Sequence, residues 1–166
     1  MDARKENEQS PMKNRTTVER KSERELVVTR TFNGPARLVF EAWTKPELFK
    51  RWWIPKSIGM TLHSCEMDVR VGGGYRLVIG MGSSPPMAFF GKYIEVTPHS
   101  RFAWTNDESA QGPVTTVTFE DKGDKTVVAV HEVFPSKEAL DAAIASGELE
   151  KDEQFAQLDE LLATLS

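Results

Sequence analysis

The sequence predicts an α+β domain in which an antiparallel sheet is built between helical segments. Three observations carry this. From Ser57 to Phe134 apolar residues recur with a period of two, and turn formers break the pattern into short pieces. On either side, in "ARLVFEAW" and in the segment ending at Leu165, the period is helical. The chain has 166 residues, 39% hydrophobic and 28% charged, which suits one domain with its own core.

Residues 1–24 read as a flexible charged arm, and residues 25–166 as the domain. Met1 to Glu25 alternates acids and bases with almost no large apolar residue, a composition that cannot build a core. "LVVTRTF", from Leu26 to Phe32, is β-branched and ends at the turn "NGP", so it is the first strand. Pro35 suits the start of a helix, where its missing N–H costs nothing. Leu38, Val39, Ala42 and Trp43 then form one apolar helical face. Pro46 opens a second short helix, in which Leu48, Phe49, Trp52 and Trp53 repeat the spacing, and Pro55 ends it.

Six strands follow. In "MTLHSCEMDVRV" the residues His63, Cys65, Met67, Val69 and Val71 share one side. Gly72 to Gly74 make a turn or bulge into "YRLVIGM", with Asp68 and Arg70 paired beside it. "MAFFGKYIEV", "RFAWTN", "VTTVTFED" and "TVVAVHEVF" complete an antiparallel meander, separated by "GSSPP", "TPHS", "DESAQG" and "KGDK". "SKEALDAAIASG" is a short helix capped by Ser136 and stopped by Gly147. The last and longest helix carries the stripe Phe155, Leu158, Leu161, Leu162 and Leu165, with Asp152, Glu153, Asp159 and Glu160 outside.

The arm lacks the apolar centre of a secretory signal, and no stretch approaches the ~20 apolar residues of a membrane span. One cysteine, Cys65, leaves no internal disulfide and agrees with a reducing compartment. A net charge of −4 argues against a nucleic-acid surface. The expectation is a cytoplasmic, soluble protein.

"VVTRTFNGPARLVFEAWTKPELFKRWWIP", "CEMDVRVGGGYRLVI" and "GKYIEVTPHSRFAWT" together resemble the AHSA-type domain, named after the activator of the heat-shock-protein-90 ATPase. That family lies within the START-like, birch-pollen-allergen-like (SRPBCC) superfamily. The resemblance runs from about Leu26 to Leu165. It implies a helix-grip fold: a curved antiparallel sheet of about seven strands wrapped round the long C-terminal helix, with two short helices after the first strand. It also implies an apolar cavity between that helix and the sheet. One departure stands out. Many relatives carry a Gly-Trp pair at the start of the last helix, where this chain offers only Phe155.

Three of the four tryptophans, Trp43, Trp52 and Trp53, crowd into the two short helices. Helices this short need tertiary anchors, and aromatic side chains supply them. The structural role therefore outweighs a binding role, with Trp53 the one expected to face a ligand as well. Met81, Met87, Phe90, Tyr93, Trp104 and Phe119 lie on strands that would curve around the cavity, and Phe90 is preferred over Phe89 as the inward side chain. His63 and His131 are assigned as polar groups beside the cavity, against the plainer reading of histidines satisfied within the core. His63 and Cys65 fall short of a metal site, because two of four ligands are missing. The glycine triplet is followed by a strand and not a helix, which rules out a phosphate loop. No cofactor, metal or catalytic set is expected.

The resulting expectation is a protein that binds an apolar or aromatic small molecule, leaning away from an enzyme. A chaperone-accessory module ranks lower, since activators of that chaperone use an additional amino-terminal domain. A cyclase- or hydrolase-like enzyme using His131, His63 or Tyr93 ranks below that. An exposed edge strand would support a homodimer.

Overall fold

Eight antiparallel strands form one sheet in the computed structural model, which describes residues 16–147 and 149–165. In chain order they are β1 (Thr17–Arg20), β2 (Glu25–Asn33), β3 (Thr61–Met67), β4 (Gly74–Gly80), β5 (Met87–Thr97), β6 (Arg101–Thr105), β7 (Val114–Asp121) and β8 (Lys125–Val133). Their lateral order is β1-β2-β8-β7-β6-β5-β4-β3. Strands β3 to β8 are thus the expected meander, and β2 joins its far edge against β8. The helices are α1 (Ala36–Thr44), α2 (Pro46–Phe49), α3 (Lys137–Ser146) and α4 (Asp152–Leu165), with one 3₁₀ turn at Lys56–Ile58.

The additional strand falls within the expected arm. Thr17↔Thr29 to Arg20↔Leu26 pair as a hairpin, so backbone order begins before residue 25, while residues 1–15 lie outside the described residues. All four β1 side chains are exposed, and an all-exposed strand gives no apolar alternation to read.

Sequence punctuation accounts for the helix ends. Pro35 sits at the N-cap of α1, and Pro46 is the first residue of α2. Ser136 Oγ accepts the Ala139 N–H at 3.0 Å to cap α3, and Gly147 closes it in left-handed geometry, φ 79°. Helix α2 is shorter than its spacing implied. It ends at Phe49, and Trp52 and Trp53 follow in turns whose N–H groups reach the Phe49 carbonyl at 3.3 and 3.2 Å.

Trp43 and Trp52 are 1% and 0% exposed, with ring centroids 4.8 Å apart, and the Trp52 indole N–H donates to the Ala42 carbonyl at 2.9 Å. Helix α4 closes the other side of this corner. Phe155, Leu158, Leu161 and Leu162 are buried, and Phe155 meets Phe32 of β2 edge-on at 5.2 Å. Asp159, expected outside, is half-buried and ion-paired with Arg30, whose strand position turns it inward. Burial pushes the Asp159 carboxyl above its ordinary range, against the opposing pull of the guanidinium.

At the other end of the sheet, Arg70 Nε holds both Asp68 oxygens, at 3.1 and 2.9 Å, beside the glycine turn. Gly72 is in left-handed geometry, φ 88°. A Cβ on Gly73 would stand 2.1 Å from the Asp68 carbonyl oxygen, so this turn admits no side chain there.

A candidate ligand cavity under the alanine face of α3

Helix α3 lines a hollow with three short side chains, Ala139 and Ala143, which are buried, and Ala142, which is exposed. The space they leave is a cavity of about 1180 Å³. Its floor is the inward face of β4 to β8, including Leu77, Phe89, Tyr93, Trp104 and Val130. Trp53 and Ile54 close one end, with Phe49 stacked on Trp53 at 4.6 Å. Met87 and Ile58 line it while 52% and 44% exposed, which puts them at a mouth open to solvent. Helix α4 contributes only its first turn, Asp152 to Gln154, and its apolar stripe packs solidly against β2 and α1. The hollow therefore lies beneath α3 and the segment entering α4, displaced from the body of the long helix where it was expected.

The corner that carries Trp53 is held by the N-terminal half of α4. Gln157 Nε2 donates to the Trp52 and Ile54 carbonyls at 3.0 and 2.9 Å, and its Oε1 accepts the Lys56 N–H at 2.9 Å. Gln154 Nε2 donates to the Trp53 carbonyl at 2.6 Å. Glu153 accepts from both the backbone and the hydroxyl of Ser57, which holds its carboxyl below the ordinary range.

One wall is polar. The Tyr75 hydroxyl donates to the Thr105 carbonyl at 2.8 Å and lies 3.3 Å from Asn106 Oδ1. Asn106 Nδ2 donates to the Pro113 carbonyl at 2.7 Å and to Thr115 Oγ1 at 3.1 Å. Thr115 Oγ1 in turn donates to Glu132 Oε2 at 3.1 Å. Thr115 and Glu132 are cross-strand partners on β7 and β8, 2% and 8% exposed, so sheet register fixes their contact. Glu132 Oε1 is buried and accepts no hydrogen bond among the described residues. Burial pushes the Tyr75 hydroxyl well above the ordinary tyrosine value, with the charge of Glu108 adding to it.

Of the residues assigned from sequence, Trp53, Met87, Tyr93 and Trp104 line the cavity. The other five do not. Phe90 is 42% exposed on the outer face, and Phe89 lines the cavity in its place. Both positions fit an alternating pattern, because "MAFFGKYIEV" is apolar on both sides of the doublet. Met81 is exposed in the β4–β5 turn, beyond the wall. Phe119 is inward but deeper, packed at 5.3 Å from Phe40 and 6.0 Å from Phe102 in the solid core. His63 is turned outward by a register shift between Leu62 and Ser64, so it does not share the Cys65 face. His131 occupies the outer face of β8, where Nε2 lies 3.0 Å from Glu25 Oε1. Its neighbour Glu132 takes the inward position.

Cys65 faces inward and half-buried, and burial raises its thiol pKa, which is the opposite of nucleophile activation. Among the described residues no three His, Cys, Asp or Glu side chains cluster as metal ligands would. Among the described residues no helix is long and apolar enough to cross a membrane.

Comparison with known proteins agrees with this architecture. Residues 33–163 match the family described as activator of Hsp90 ATPase homolog 1-like protein. A crystal structure from Rhodobacter sphaeroides superposes with a TM-score of 0.83 at 23% identity, covering 92% of this chain and 100% of that one. One from Nitrosomonas europaea gives 0.78 at 22%, covering 87% and 97%. A solution structure from Staphylococcus epidermidis gives 0.76 at 26%, covering 90% and 95%. No curated protein matches the chain.

Proposed function

Since the chain belongs to the activator of Hsp90 ATPase homolog 1-like family, within the helix-grip architecture of its structural neighbours, we propose that it binds an apolar or aromatic small molecule in the cavity under α3. The observation that carries this reading is the cavity itself. At about 1180 Å³, floored by Leu77, Phe89, Tyr93 and Trp104 and edged by a few convergent polar groups, it has the make-up of small-molecule sites. Open to solvent at its mouth, the hollow leaves this apolar lining wetted unless a ligand covers it. A chaperone-accessory role, which the family description also fits, needs a docking surface and gives no reason for the hollow.

Trp53 and Trp104 line the cavity and report on it directly. Titrating lipophilic aromatic compounds should quench or blue-shift the tryptophan emission saturably. Ala143→Leu, which would place a larger side chain in the hollow, should abolish that response while the fold survives. An unchanged spectrum across flavonoid-, fatty-acid- and polyketide-like compounds overturns the reading, as does an unaltered response in Ala143→Leu.

A further inference from the structure

The polar wall has a direction. From Asn106 to Thr115 to Glu132 the donors point one way: Asn106 Nδ2 donates to Thr115 Oγ1, and Thr115 Oγ1 donates to Glu132 Oε2. A threonine hydroxyl has one hydrogen, and that of Thr115 is spent on Glu132 Oε2 while its oxygen receives Asn106. The chain of hydrogen bonds therefore ends on an acceptor. A carboxylate can only accept, and Glu132 Oε1, buried with no donor among the described residues, is the unmatched end. Leaving such an atom unpaired costs more than an ordinary hydrogen bond returns.

The missing donor has to come from what enters the cavity. Two features say which kind. Besides Glu132 the lining holds five carboxylates, Glu108, Glu138 and Asp152 among them, against a single cation, Lys151. Most of these carboxylates are exposed at the rim, so the described lining carries net negative charge around the mouth, which favours entry of a cation. The remaining wall is aromatic, with Trp53, Trp104, Tyr75 and Tyr93 all presented to the space, and ring faces attract cations.

We infer that the cavity takes a lipophilic amine, an aromatic or aliphatic body bearing a protonated nitrogen, and that Glu132 Oε1 receives the ammonium N–H. This assignment rests on the proposed binding function and adds the ligand's chemical class. Thr115 and Asn106 act as positioning residues. They hold the carboxylate at the wall, and because Glu132 Oε1 is buried there, receiving the ligand takes a side-chain reorientation that brings an oxygen to the cavity and gives up the Thr115 contact.

Three probes of equal bulk test it with the intact protein: 2-(2-naphthyl)ethylamine, 2-(2-naphthyl)ethanol and 2-naphthylacetate, titrated by calorimetry near neutral pH. The amine should bind about tenfold more tightly than the alcohol, with the acetate weakest, the size expected of one charge-assisted hydrogen bond. Glu132→Gln, close in shape, should cost the amine about tenfold and change the alcohol less than twofold. Equal binding of the three probes to the natural chain overturns the amine assignment while leaving the cavity reading intact. The same follows if Glu132→Gln folds yet keeps the preference. If none of the three binds, the cavity reading itself falls and this inference with it. The ranking on the natural chain decides the matter even if the variant does not fold.

Discussion

Gln157 shows how much one side chain can organise. It faces the tryptophan corner from the buried side of α4 and makes three hydrogen bonds to the backbone of residues 52–56. Gln157→Leu keeps the bulk and removes all three, stranding two carbonyls and an N–H. The expected loss is about 3 kcal/mol, read as a lower urea midpoint with unchanged slope. A loss below about 1 kcal/mol would mean water replaces the side chain there. The sequence could not mark this residue, because a glutamine among acids on an amphipathic helix looks like solvent-facing polarity. Residue-level misreadings on the strands share a different cause. In "VVAVHEV" both faces are apolar, so alternation cannot tell which of His131 and Glu132 points inward, and the histidine shares its side with Val127, Ala129 and Val133. The neighbouring strand held the answer: Val117 and Phe119 are inward, so Thr115 is too, and its cross-strand partner in the register is Glu132.

At the level of elements, prolines, caps and turn residues leave strong marks in the sequence, whereas irregular backbone pairing leaves none. Pro35, Pro46, Ser136 and Gly147 stand at helix ends, whereas Pro55 lies beyond α2, which stops at Phe49; six turn-bounded runs correspond to β3 to β8. Register shifts left no such mark: the one between Leu62 and Ser64 turns His63 outward, and another lies between Tyr93 and Glu95. Close backbone approach is equally silent. Gly91 lies on β5 where a Cβ would stand 1.9 Å from the Thr105 carbonyl oxygen and 3.0 Å from the Tyr75 ring. Gly91→Ala must push β5 and β6 apart at the position that anchors the Tyr75 hydroxyl. Overpacking of this kind costs about 1–3 kcal/mol, a fall of roughly 2–12 °C in Tm for a domain of this size. Since Asn106 follows Thr105, the variant should also weaken amine binding. A melt within 1 °C of the natural chain would show that the strands separate freely there.

For the molecule as a whole, alkaline pH tests whether the cavity wall and the core behave as one folded unit. The chain has only two tyrosines, and both lie on the sheet's inward face, with ring centroids 5.7 Å apart. Burial raises each hydroxyl above the ordinary value of 10.0; Glu108 adds to the effect at Tyr75, and Cys65 and Asp68 at Tyr93. Above pH 10 the unfolded chain releases these protons while the folded chain retains them, so the folded state binds more protons and loses stability as pH rises. Each tyrosine contributes a slope approaching about 1.4 kcal/mol per pH unit, so together they should remove about 2 kcal/mol between pH 10 and pH 11, and nothing below pH 9. Phenolate absorbance at ~295 nm isolates the effect, because lysines titrating in the same range do not absorb there. The absorbance should stay flat while tryptophan emission remains native, then rise in step with unfolding. In the double variant Tyr75→Phe, Tyr93→Phe the drop in stability over that pH unit should shrink by the same amount. A phenolate signal with a midpoint near 10 in a protein whose tryptophans are still native would mean that water reaches both hydroxyls, and that the wall running from Tyr75 to Glu132 is not sealed against solvent.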